Sequence, residues 1–347
     1  MATISTAISS KPICSVCIAN YNGVGLIEDC IDSVLAQDCQ ENIEIIVHDD
    51  ASTDESVKLI RERYPQIKLI ESHENVGFCI SNNRMVAQTR GEYILLLNND
   101  AALLPDALKT LYAEAQSSPV PAILGLPQYD ATTNKLIDIG SYFDPFLNPI
   151  PSQNNSDQQV GMVIGACFWL PKSLWDELGG FPEWFGSLAE DMYLCCVARL
   201  WGYQVKALPR SGFIHKVGSS LGGGKVVNRK LSTSTSRRTL SERNKTYVMF
   251  MTYPISLLLL MLPLHLMLLL AEGIVLSIVK LDPNLFFNIY LNCFNSLFYK
   301  RKILLRMRKM IQSKRKYSVV EFCKPFTWMP YKITMLLRHG VPKISNT

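Results

Sequence analysis

GEYILLLNND, residues 91–100, is an apolar run that follows a glycine and stops on three polar residues, the last of them an acid. Runs of this length and composition are typical of a β-strand covered on both faces of a parallel sheet. In such sheets ligands bind beyond the carboxyl ends of the strands. The sequence therefore predicts that Asn98, Asn99 and Asp100 lie at a ligand-binding edge, although an acid here can also simply end the strand or cap the next helix.

Apolar strands alternate with helical patterns along the first part of the chain. Residues 13–19 and 43–48 are predicted strands, and the helical segment between them places its apolar residues on one face. The second strand ends at Asp49 and Asp50, ahead of a sequence that opens a helix. Strand, loop and helix in this order indicate an alternating α/β domain.

Four motifs follow one another in a distinctive order and spacing. They are SVCIANYN at 15–22, DDASTD at 49–54, NVGF at 75–78 leading into LLNND at 96–100, and GGF at 179–181 followed by Glu190 and Asp191. In this order they resemble the family 2 glycosyltransferases with a GT-A fold, rhamnosyltransferase-like members in particular. The resemblance implies a Rossmann-like, doubly wound mixed sheet, and we expect this GT-A domain to occupy residues 11–250.

The resemblance also implies a nucleoside diphosphate sugar as donor, carried on UDP or dTDP. The Asp49–Asp50 pair would recognise base and ribose, because a carboxylate accepts a hydrogen bond from the ring N–H of uracil or thymine; which of the two faces the base stays open. For Tyr21 a simple turn, and for Arg243 a solvated basic face, are alternative interpretations. The expected donor-binding residues are Ala19, Tyr21, Asp49, Asp50, Asn75, Asn83, Asn98, Asn99 and Arg243.

Asp100 and His215 are the metal ligands that the resemblance implies. The family usually ends this strand in Asp-x-Asp, whose carboxylates hold a divalent cation on the donor phosphates, a site suited to Mg²⁺ or Mn²⁺. Here the motif is Asn98-Asn99-Asp100, so only the last acid remains and we expect weaker metal binding. His215 matches a position that completes the metal site or meets a phosphate, and a histidine that merely ends a strand is the alternative.

Asp191 is the catalytic base that the resemblance implies, and Glu190 would orient the acceptor or support that base. Direct displacement at an anomeric carbon needs a group that takes the proton of the acceptor hydroxyl. Acids are also common in the first turn of a helix because they complement its dipole. No Gln-x-x-Arg-Trp motif is present, which argues against a processive synthase.

The function that follows is an inverting, non-processive transferase acting on a lipid-linked or cell-surface glycan, with rhamnose or another hexose as the sugar. The alternative is a catalytically silent scaffold protein that binds sugar nucleotides at the membrane, which the reduced metal motif suggests. Between the motifs, residues 120–160 contain many prolines and are predicted to be irregular, forming part of the acceptor surface, and residues 160–170 are predicted to be a strand.

Charge divides the chain into an acidic front and a basic back. Residues 1–224 carry 14 Lys and Arg against 26 Asp and Glu, whereas residues 225–347 carry 21 against 4. The stretch Lys300–Lys316 holds nine basic residues and no acid, interleaved with apolar ones. A basic amphipathic helix suits an anionic lipid surface. No nucleic-acid-binding module accompanies it, so we expect a membrane surface as partner and no nucleic acid.

Residues 255–279 are apolar enough to cross a bilayer, but Pro263, His265 and Glu272 interrupt them. We expect a spanning helix or a helical hairpin lying in the interface, ahead of a helix packed against the protein body. The expected division is therefore membrane-associated apolar and basic helices over residues 251–320 and a C-terminal tail over residues 321–347.

The expected location is the cytoplasmic face of the inner or plasma membrane. Met1–Ser10 lacks an apolar core, so no secretory signal peptide is expected. The ten cysteines are scattered, and the one C-x-x-C, Cys14 and Cys17, lies in a predicted strand whose side chains three apart point to opposite faces. We therefore expect reduced, structural thiols.

Overall fold

The computed structural model describes residues 11–154, 159–216, 223–227 and 230–345. Its helices are α1 Ile27–Leu35, α2 Ser56–Arg63, α3 Phe78–Val86, α4 Ala107–Ser117, α5 Lys172–Leu178, α6 Glu190–Leu200, α7 Thr235–Thr252, α8 Ile255–Lys280, α9 Asn292–Ser313, α10 Val319–Cys323 and α11 Tyr331–His339. Its strands are β1 Cys14–Asn20, β2 Ile43–Asp49, β3 Lys68–Glu71, β4 Tyr93–Asn98, β5 Ala101–Leu103, β6 Ala122–Gly125, β7 Gln128–Asp130, β8 Leu136–Asp138, β9 Gly140–Phe143, β10 Pro149–Ser152, β11 Cys167–Pro171, β12 Gln204–Ala207, β13 Phe213–His215, β14 Gly223–Val227, β15 Lys230–Ser234 and β16 Lys343–Ser345.

The central sheet has seven strands in the order β12-β6-β11-β4-β1-β2-β3. Neighbouring strands are parallel except β11, which runs antiparallel to both β4 and β6. In the register of the parallel strands, Asn20 lies opposite Asp49, and Ala19 lies opposite Asn98. The carboxyl ends of β1, β2 and β4 thus meet at one edge, and the mixed α/β sheet confirms the expected fold class.

Helices cover both faces of this sheet, because the strand side chains alternate between two apolar layers. In β1, Cys14 packs in the layer that holds α1, whereas Cys17 packs in the layer that holds α3 and α6. The two cysteines therefore face opposite sides, as expected from their spacing. All ten cysteines are free thiols.

A second sheet, ordered β5-β13-β7-β8, forms beside the edge where β4 ends. Its strands β5 and β13 are antiparallel, with His215 opposite Ala101. This pairing brings a segment more than a hundred residues downstream against the residues that follow Asp100.

The expectation of irregular structure over residues 120–160 was wrong, because β6 to β10 lie there. Pro149 and Pro151 sit in β10, which pairs with β9 alone. A strand with a free edge tolerates proline, since no ladder hydrogen bond is lost there. The predicted strand over residues 160–170 is also shorter than expected and begins at Cys167.

The C-terminal helices pack around α7. A π-helical segment, Phe286–Leu291, leads directly into α9, so the basic stretch from Lys300 onward continues a helix that begins further upstream. The segment expected to be a tail folds back on the sheet domain: the rings of Phe326 and Phe143 lie 5.6 Å apart, and the backbone N–H of Tyr331 donates to Asp144 Oδ2 at 2.7 Å.

Helix α8 is long and apolar enough to cross a membrane, with 26 residues and a mean hydropathy of 2.2. One of its faces nevertheless packs against α7 and the π-helical segment, with Leu257, Met261 and Leu269 buried. Packing against the protein body was the less favoured expectation. The interruptions His265 and Glu272 explain it, since both lie on the packed side.

Candidate functional site

Asn20, the last residue of β1, connects two of the motifs at the sheet edge. Its Nδ2 donates to Asp49 Oδ2 at 2.8 Å and to Ser56 Oγ at 3.0 Å, while its Oδ1 accepts from Asn99 Nδ2 at 3.0 Å. The side chain is 1% exposed. Asn20 was not among the expected site residues, and only its place in the first motif pointed to it.

The carboxylates of Asp49 and Asp50 organise two different loops. Asp49 accepts from the backbone N–H of Ser52 at 2.9 Å and from its hydroxyl at 2.6 Å. Asp50 accepts from the N–H groups of Val76 and Gly77 at 2.7 and 2.9 Å. Gly77 has φ +87°, a conformation that favours glycine. The two acids thus shape the loops on either side of the strand ends.

The remaining expected donor residues differ in their surroundings. Tyr21 is 52% exposed and Asn75 is exposed, whereas Ala19 is half-buried. Asn98 is half-buried, and its Oδ1 has no hydrogen-bond partner within the described part of the chain. A buried carbonyl oxygen without a donor is costly, so this atom is suited to a ligand donor.

Asn83 forms a closed pair with the backbone of Phe181. Its Nδ2 donates to Phe181 O at 2.9 Å, and its Oδ1 accepts from Phe181 N at 3.0 Å. Close by, the N–H of Cys79 donates to Gly186 O at 3.0 Å. These bonds tie α3 to the loop that precedes the acid pair, so the side chain that was expected at the donor joins two halves of the site.

Asp100 and His215 meet in the crevice beside β5. His215 Nε2 lies 3.0 Å from Asp100 Oδ1, and His215 Nδ1 lies 2.8 Å from Gln128 Nε2. The three side chains are buried, with exposed fractions of 7%, 6% and 2% for Asp100, His215 and Gln128. Gln128 gave no signal in the sequence, because it lies in the stretch expected to be irregular.

The Asp100–His215 pair fits a divalent cation in part. Two ligands at right angles, each about 2.1 Å from an octahedral cation, lie about 3.0 Å apart, which is the separation of Nε2 and Oδ1. Within the described ranges, no group of three His, Cys, Asp or Glu side chains could hold a metal ion. Mg²⁺ keeps several waters and takes substrate phosphates as ligands, so two protein ligands are compatible with a substrate-bound cation.

The acid pair begins α6. Asp191 is half-buried; its Oδ2 accepts from the N–H of Gly165 at 2.9 Å and its Oδ1 from the N–H of Met192 at 2.7 Å. Glu190 is 6% exposed, and its Oε2 has no hydrogen-bond partner among the residues described. The two acids therefore sit in different environments.

These environments shift both pKa values. Burial first, and then repulsion by the Asp191 carboxylate, raise the pKa of Glu190. Burial also raises the pKa of Asp191, while the N–H donors of Gly165 and Met192 oppose that rise. When one proton is shared, it therefore resides on Glu190, and Asp191 carries the charge.

A short chain of hydrogen bonds links the acid pair to the strand that ends at Asp100. The N–H of Asn98 donates to Ala166 O at 3.1 Å, and the adjacent Gly165 donates to Asp191. The base candidate thus lies beside the end of β4, within two backbone contacts of the predicted metal-binding motif.

Helix α7 supports the acid pair from the other side. Asn244 Nδ2 donates to the carbonyl oxygens of Ser187 and Leu188 at 2.9 and 2.8 Å, and Arg243 Nη2 donates to Phe185 O at 3.0 Å. Arg243 therefore holds the loop before the acids. The guanidinium of Arg237 instead interacts electrostatically with the acid pair; burial lowers its pKa, and the charges of Glu190 and Asp191 oppose that shift.

Comparison with known proteins agrees with the fold and with the order of the motifs. Residues 15–179, just under half of the chain, match the sequence profile of Glycosyl transferase family 2. This part of the chain is therefore similar to the family 2 glycosyltransferases. The rhamnosyltransferase-like specificity finds no confirmation in these matches.

Among curated relatives, the chondroitin synthase of Escherichia coli is 31% identical over 196 residues, which cover 55% of this chain and 27% of the synthase. The matched segments cover 22% and 32% of two uncharacterised relatives, from Sinorhizobium fredii and Mycobacterium tuberculosis. The chain thus corresponds to less than a third of the length of each of these three proteins.

Two solved structures share the fold. GalNAc-T7, crystallised with UDP, GalNAc and Mn²⁺, superposes with a TM-score of 0.57 at 14% identity, covering 71% of this chain and 49% of its own. The mannosyltransferase PcManGT of Pyrobaculum calidifontis, with GDP-mannose and Mn²⁺, has a TM-score of 0.51 at 16% identity, covering 91% and 87%. Identities this low show the shared GT-A-like fold alone.

Proposed function

We propose that the protein is an inverting, non-processive glycosyltransferase that moves rhamnose or another hexose from a UDP- or dTDP-linked donor to a lipid-linked or cell-surface glycan. One observation carries this proposal: the loops around Asn20, the Asp100–His215 pair and the Glu190–Asp191 pair meet at one edge of the sheet. The similarity to the family 2 glycosyltransferases supports the reaction class. UDP with GalNAc in one solved structure of this fold, and GDP-mannose in another, support the donor class.

The donor occupies the edge formed by the ends of β1, β2 and β4. Asp49 Oδ2 is filled by Asn20 and Ser52. Asp49 Oδ1 and the two oxygens of Asp50 each accept one hydrogen bond from the protein, which leaves each of them an acceptor site for base or ribose. Ala19, Tyr21 and Asn75 line the outer part of this edge. Asn98 and Asn99 face the diphosphate end, with the unpartnered Asn98 Oδ1 available to a hydroxyl of the sugar.

Asp191 acts as the base of a single displacement. Its carboxylate takes the proton of the acceptor hydroxyl while that oxygen bonds to the anomeric carbon. The bond from this carbon to the donor phosphate oxygen breaks, the nucleoside diphosphate leaves, and the configuration inverts. Asp191 suits this role because it is the more accessible acid and carries the charge while Glu190 holds the proton.

Asp100 and His215 would hold a divalent cation, Mg²⁺ or Mn²⁺, together with phosphate oxygens of the donor. When bound, such a cation neutralises charge that develops on the diphosphate. Arg237 contributes a fixed positive charge beside the acid pair. Arg243 holds the loop that leads to Glu190, so it supports the donor site through this loop and does not contact the donor itself.

A panel of UDP-, dTDP- and GDP-sugars tests this function. The full chain in detergent, supplied with a membrane lipid extract, should release nucleoside diphosphate from one donor and stop when a chelator is added. Nucleotide binding without release from any donor would favour the alternative, a catalytically silent scaffold that binds sugar nucleotides. A reason to consider this alternative is that the described residues offer a cation only two ligands, Asp100 and His215. Absence of both binding and release would refute the glycosyltransferase proposal.

A further inference from the structure

Helix α8 presents two very different faces. Its packed face contains Met261, His265, Leu269, Gly273 and Leu276, spaced three or four residues apart. The opposite face carries large apolar side chains that water would cover: Leu259, Leu260, Met267, Ile274, Val275 and Ile278, of which Leu260, Met267 and Ile278 are 63%, 61% and 67% exposed. An unbroken apolar stripe of this length requires a partner.

The two polar residues that interrupt the apolar sequence of α8, His265 and Glu272, both bond other parts of the protein. His265 Nε2 lies 2.9 Å from the Thr246 hydroxyl on α7. Glu272 pairs with Arg238 on α7 and, at 2.7 Å, with Lys332 on α11. The residues that interrupt the apolar sequence therefore face inward, and the outer face is left without charge.

This packing argues against a bilayer-crossing orientation. His265 and Glu272 contact α7 at points seven residues apart, about 10 Å along the helix axis, so α7 runs beside the middle of α8. The same α7 carries Asn244, which bonds the loop in front of the acid pair. If α8 crossed the membrane, the charges of α7 and this loop would enter hydrocarbon, at a large cost.

The apolar surface continues onto α11. Lys332 connects α11 to α8, and no residue of α11 is buried. Leu336 and Leu337 are 51% and 82% exposed, and Trp328 precedes the helix at 69%. Tryptophan beside an exposed apolar surface is typical of the interface between lipid and water.

Helix α9 packs along α7, reaches the residues that lead into α8 and supplies the charge. Tyr290, just before α9, packs against Gly273, and Arg308 Nη1 donates at 2.7 Å to Tyr253 O, immediately before α8 begins. The outward positions of α9 include Lys302, Arg306 and Lys309, all exposed. Basic residues beside an apolar face match an anionic lipid surface rather than a second copy of this equally basic region.

We propose that the outer face of α8, with Trp328, Leu336 and Leu337, lies in the plane of one leaflet of an anionic bilayer, and that Lys302, Arg306 and Lys309 contact lipid phosphates. The protein is then attached to one side of the membrane without crossing it. This membrane attachment rests on the proposed function in one respect: it would bring the enzyme close to a lipid-linked acceptor. Binding of the protein to the membrane does not itself require a sugar donor.

The side of the membrane from which each end of α8 can be labelled tests the orientation of this helix. Single cysteines replace Ser256 and Asn284, near the two ends of α8, in the full chain with the partly exposed Cys39 and Cys323 changed to serine. The chain is expressed in bacteria and treated with an impermeant maleimide. Both ends should react in inverted membrane vesicles and neither in right-side-out vesicles. Labelling of the two ends from opposite sides would overturn the proposal in favour of a spanning helix.

Flotation with vesicles tests the surface itself. The full chain should float with vesicles that contain phosphatidylglycerol, and Leu260→Glu with Met267→Glu should weaken flotation about tenfold or more per substitution. Val120→Glu, an apolar residue 37% exposed ahead of β6, is the matched control and should float normally. Changing Lys302, Arg306 and Lys309 to Gln should remove the preference for anionic over neutral vesicles, about fivefold per residue.

Nucleotide release is measured in the same samples with a water-soluble acceptor. The double glutamate variant should retain release while losing flotation. Flotation that is unchanged in this variant, or a wild-type chain that self-associates and ignores vesicles, would refute the membrane surface. A chain that floats but releases no nucleotide from any donor would refute the proposed function and leave the docking surface intact.

Discussion

The Nε2 atom of His215 lies 3.0 Å from Oδ1 of Asp100, although 115 residues separate the two in the chain. The side-chain amide of Gln128 lies 2.8 Å from Nδ1 of the same ring. When Nε2 binds a cation, the ring proton lies on Nδ1, where the amide oxygen of Gln128 can accept it. A buried amide thus fixes the orientation of the imidazole toward Asp100.

We expect His215→Ala to raise the Mg²⁺ or Mn²⁺ concentration needed for half-maximal nucleotide release by about 10- to 100-fold, and Gln128→Leu to raise it about tenfold, because a group that orients a metal ligand tunes its affinity. Gln116→Leu is the matched control, since Gln116 is exposed and bonds only to the hydroxyl of Tyr93. Release that is equally independent of metal in all three variants would remove Asp100 and His215 from metal binding.

Asp191→Asn should lower the rate of nucleotide release by about 10²- to 10⁴-fold, the usual contribution of a general base. Donor affinity should stay the same, because the amide keeps the shape of the side chain. Asp176→Asn is the control: that acid is on α5, is largely exposed and pairs with Lys172. The measurement is turnover together with nucleotide binding by calorimetry. Full turnover by Asp191→Asn would transfer the role of base to another group.

The raised pKa values of the acid pair set a pH dependence. A base must be unprotonated, so release should rise with pH through a range above the ordinary carboxyl pKa. Glu190 is already neutral while Asp191 loses its proton, so Glu190→Gln should leave this limb close to its wild-type position and keep substantial activity near neutrality. The measurement is the pH profile of kcat/KM for both proteins. A limb displaced to lower pH in Glu190→Gln would show that Glu190 is charged while Asp191 titrates.

The same pKa shifts make the free energy of unfolding depend on pH. The direction of this dependence is opposite to that of an acid whose pKa is lowered by a salt bridge. A carboxyl whose pKa is raised on folding binds its proton more tightly in the folded state than in the unfolded chain. Its contribution is therefore present at acid pH and is lost as pH rises through the raised pKa. Glu190→Gln should flatten this part of the curve of unfolding free energy against pH.

The ends of β1, β2 and β4 were predictable because strong apolar periodicity is local information. Asn98, Asp100 and Asp49 follow such runs, whereas Glu190 follows a loop and was singled out through the resemblance alone. The contact of Gln128 with His215 and the bonds from Asn244 to Ser187 and Leu188 were not predictable, since each joins residues far apart in the chain. The short strands β6 to β10 were not predicted either. The prolines indicated irregular structure, whereas these strands form by pairing, which in β6 and β7 involves residues far apart in the chain.

Helix α8 shows the other limit of sequence reasoning. Its length and hydropathy describe a membrane span, yet the partners of His265 and Glu272 come from α7 and α11. Lys332, which bonds both Glu242 and Glu272, lies in a stretch expected to be a tail. Composition shows that the helix needs apolar surroundings. Only the contacts show which face of the helix packs against the rest of the protein.

The ion cluster between α7 and α11 gives a prediction about stability. Lys245 Nζ lies 2.8 Å from Glu242 Oε2 and donates to Asn148 Oδ1 at 2.6 Å. The two charged side chains are only 4% and 7% exposed. Removing one partner of a buried pair leaves the other charge short of compensation, so Lys245→Met should lower the free energy of unfolding by about 3 kcal/mol.

Lys58→Met is the matched control for that change. Lys58 pairs with Glu55 at 3.4 Å, with side chains 67% and 77% exposed, and the loss should stay below about 1 kcal/mol because exposed pairs contribute little. Denaturant unfolding of both variants in the same detergent measures the difference. Equal stability of the two variants would mean that Lys332 alone compensates Glu242, and Lys332→Met should then produce the larger loss.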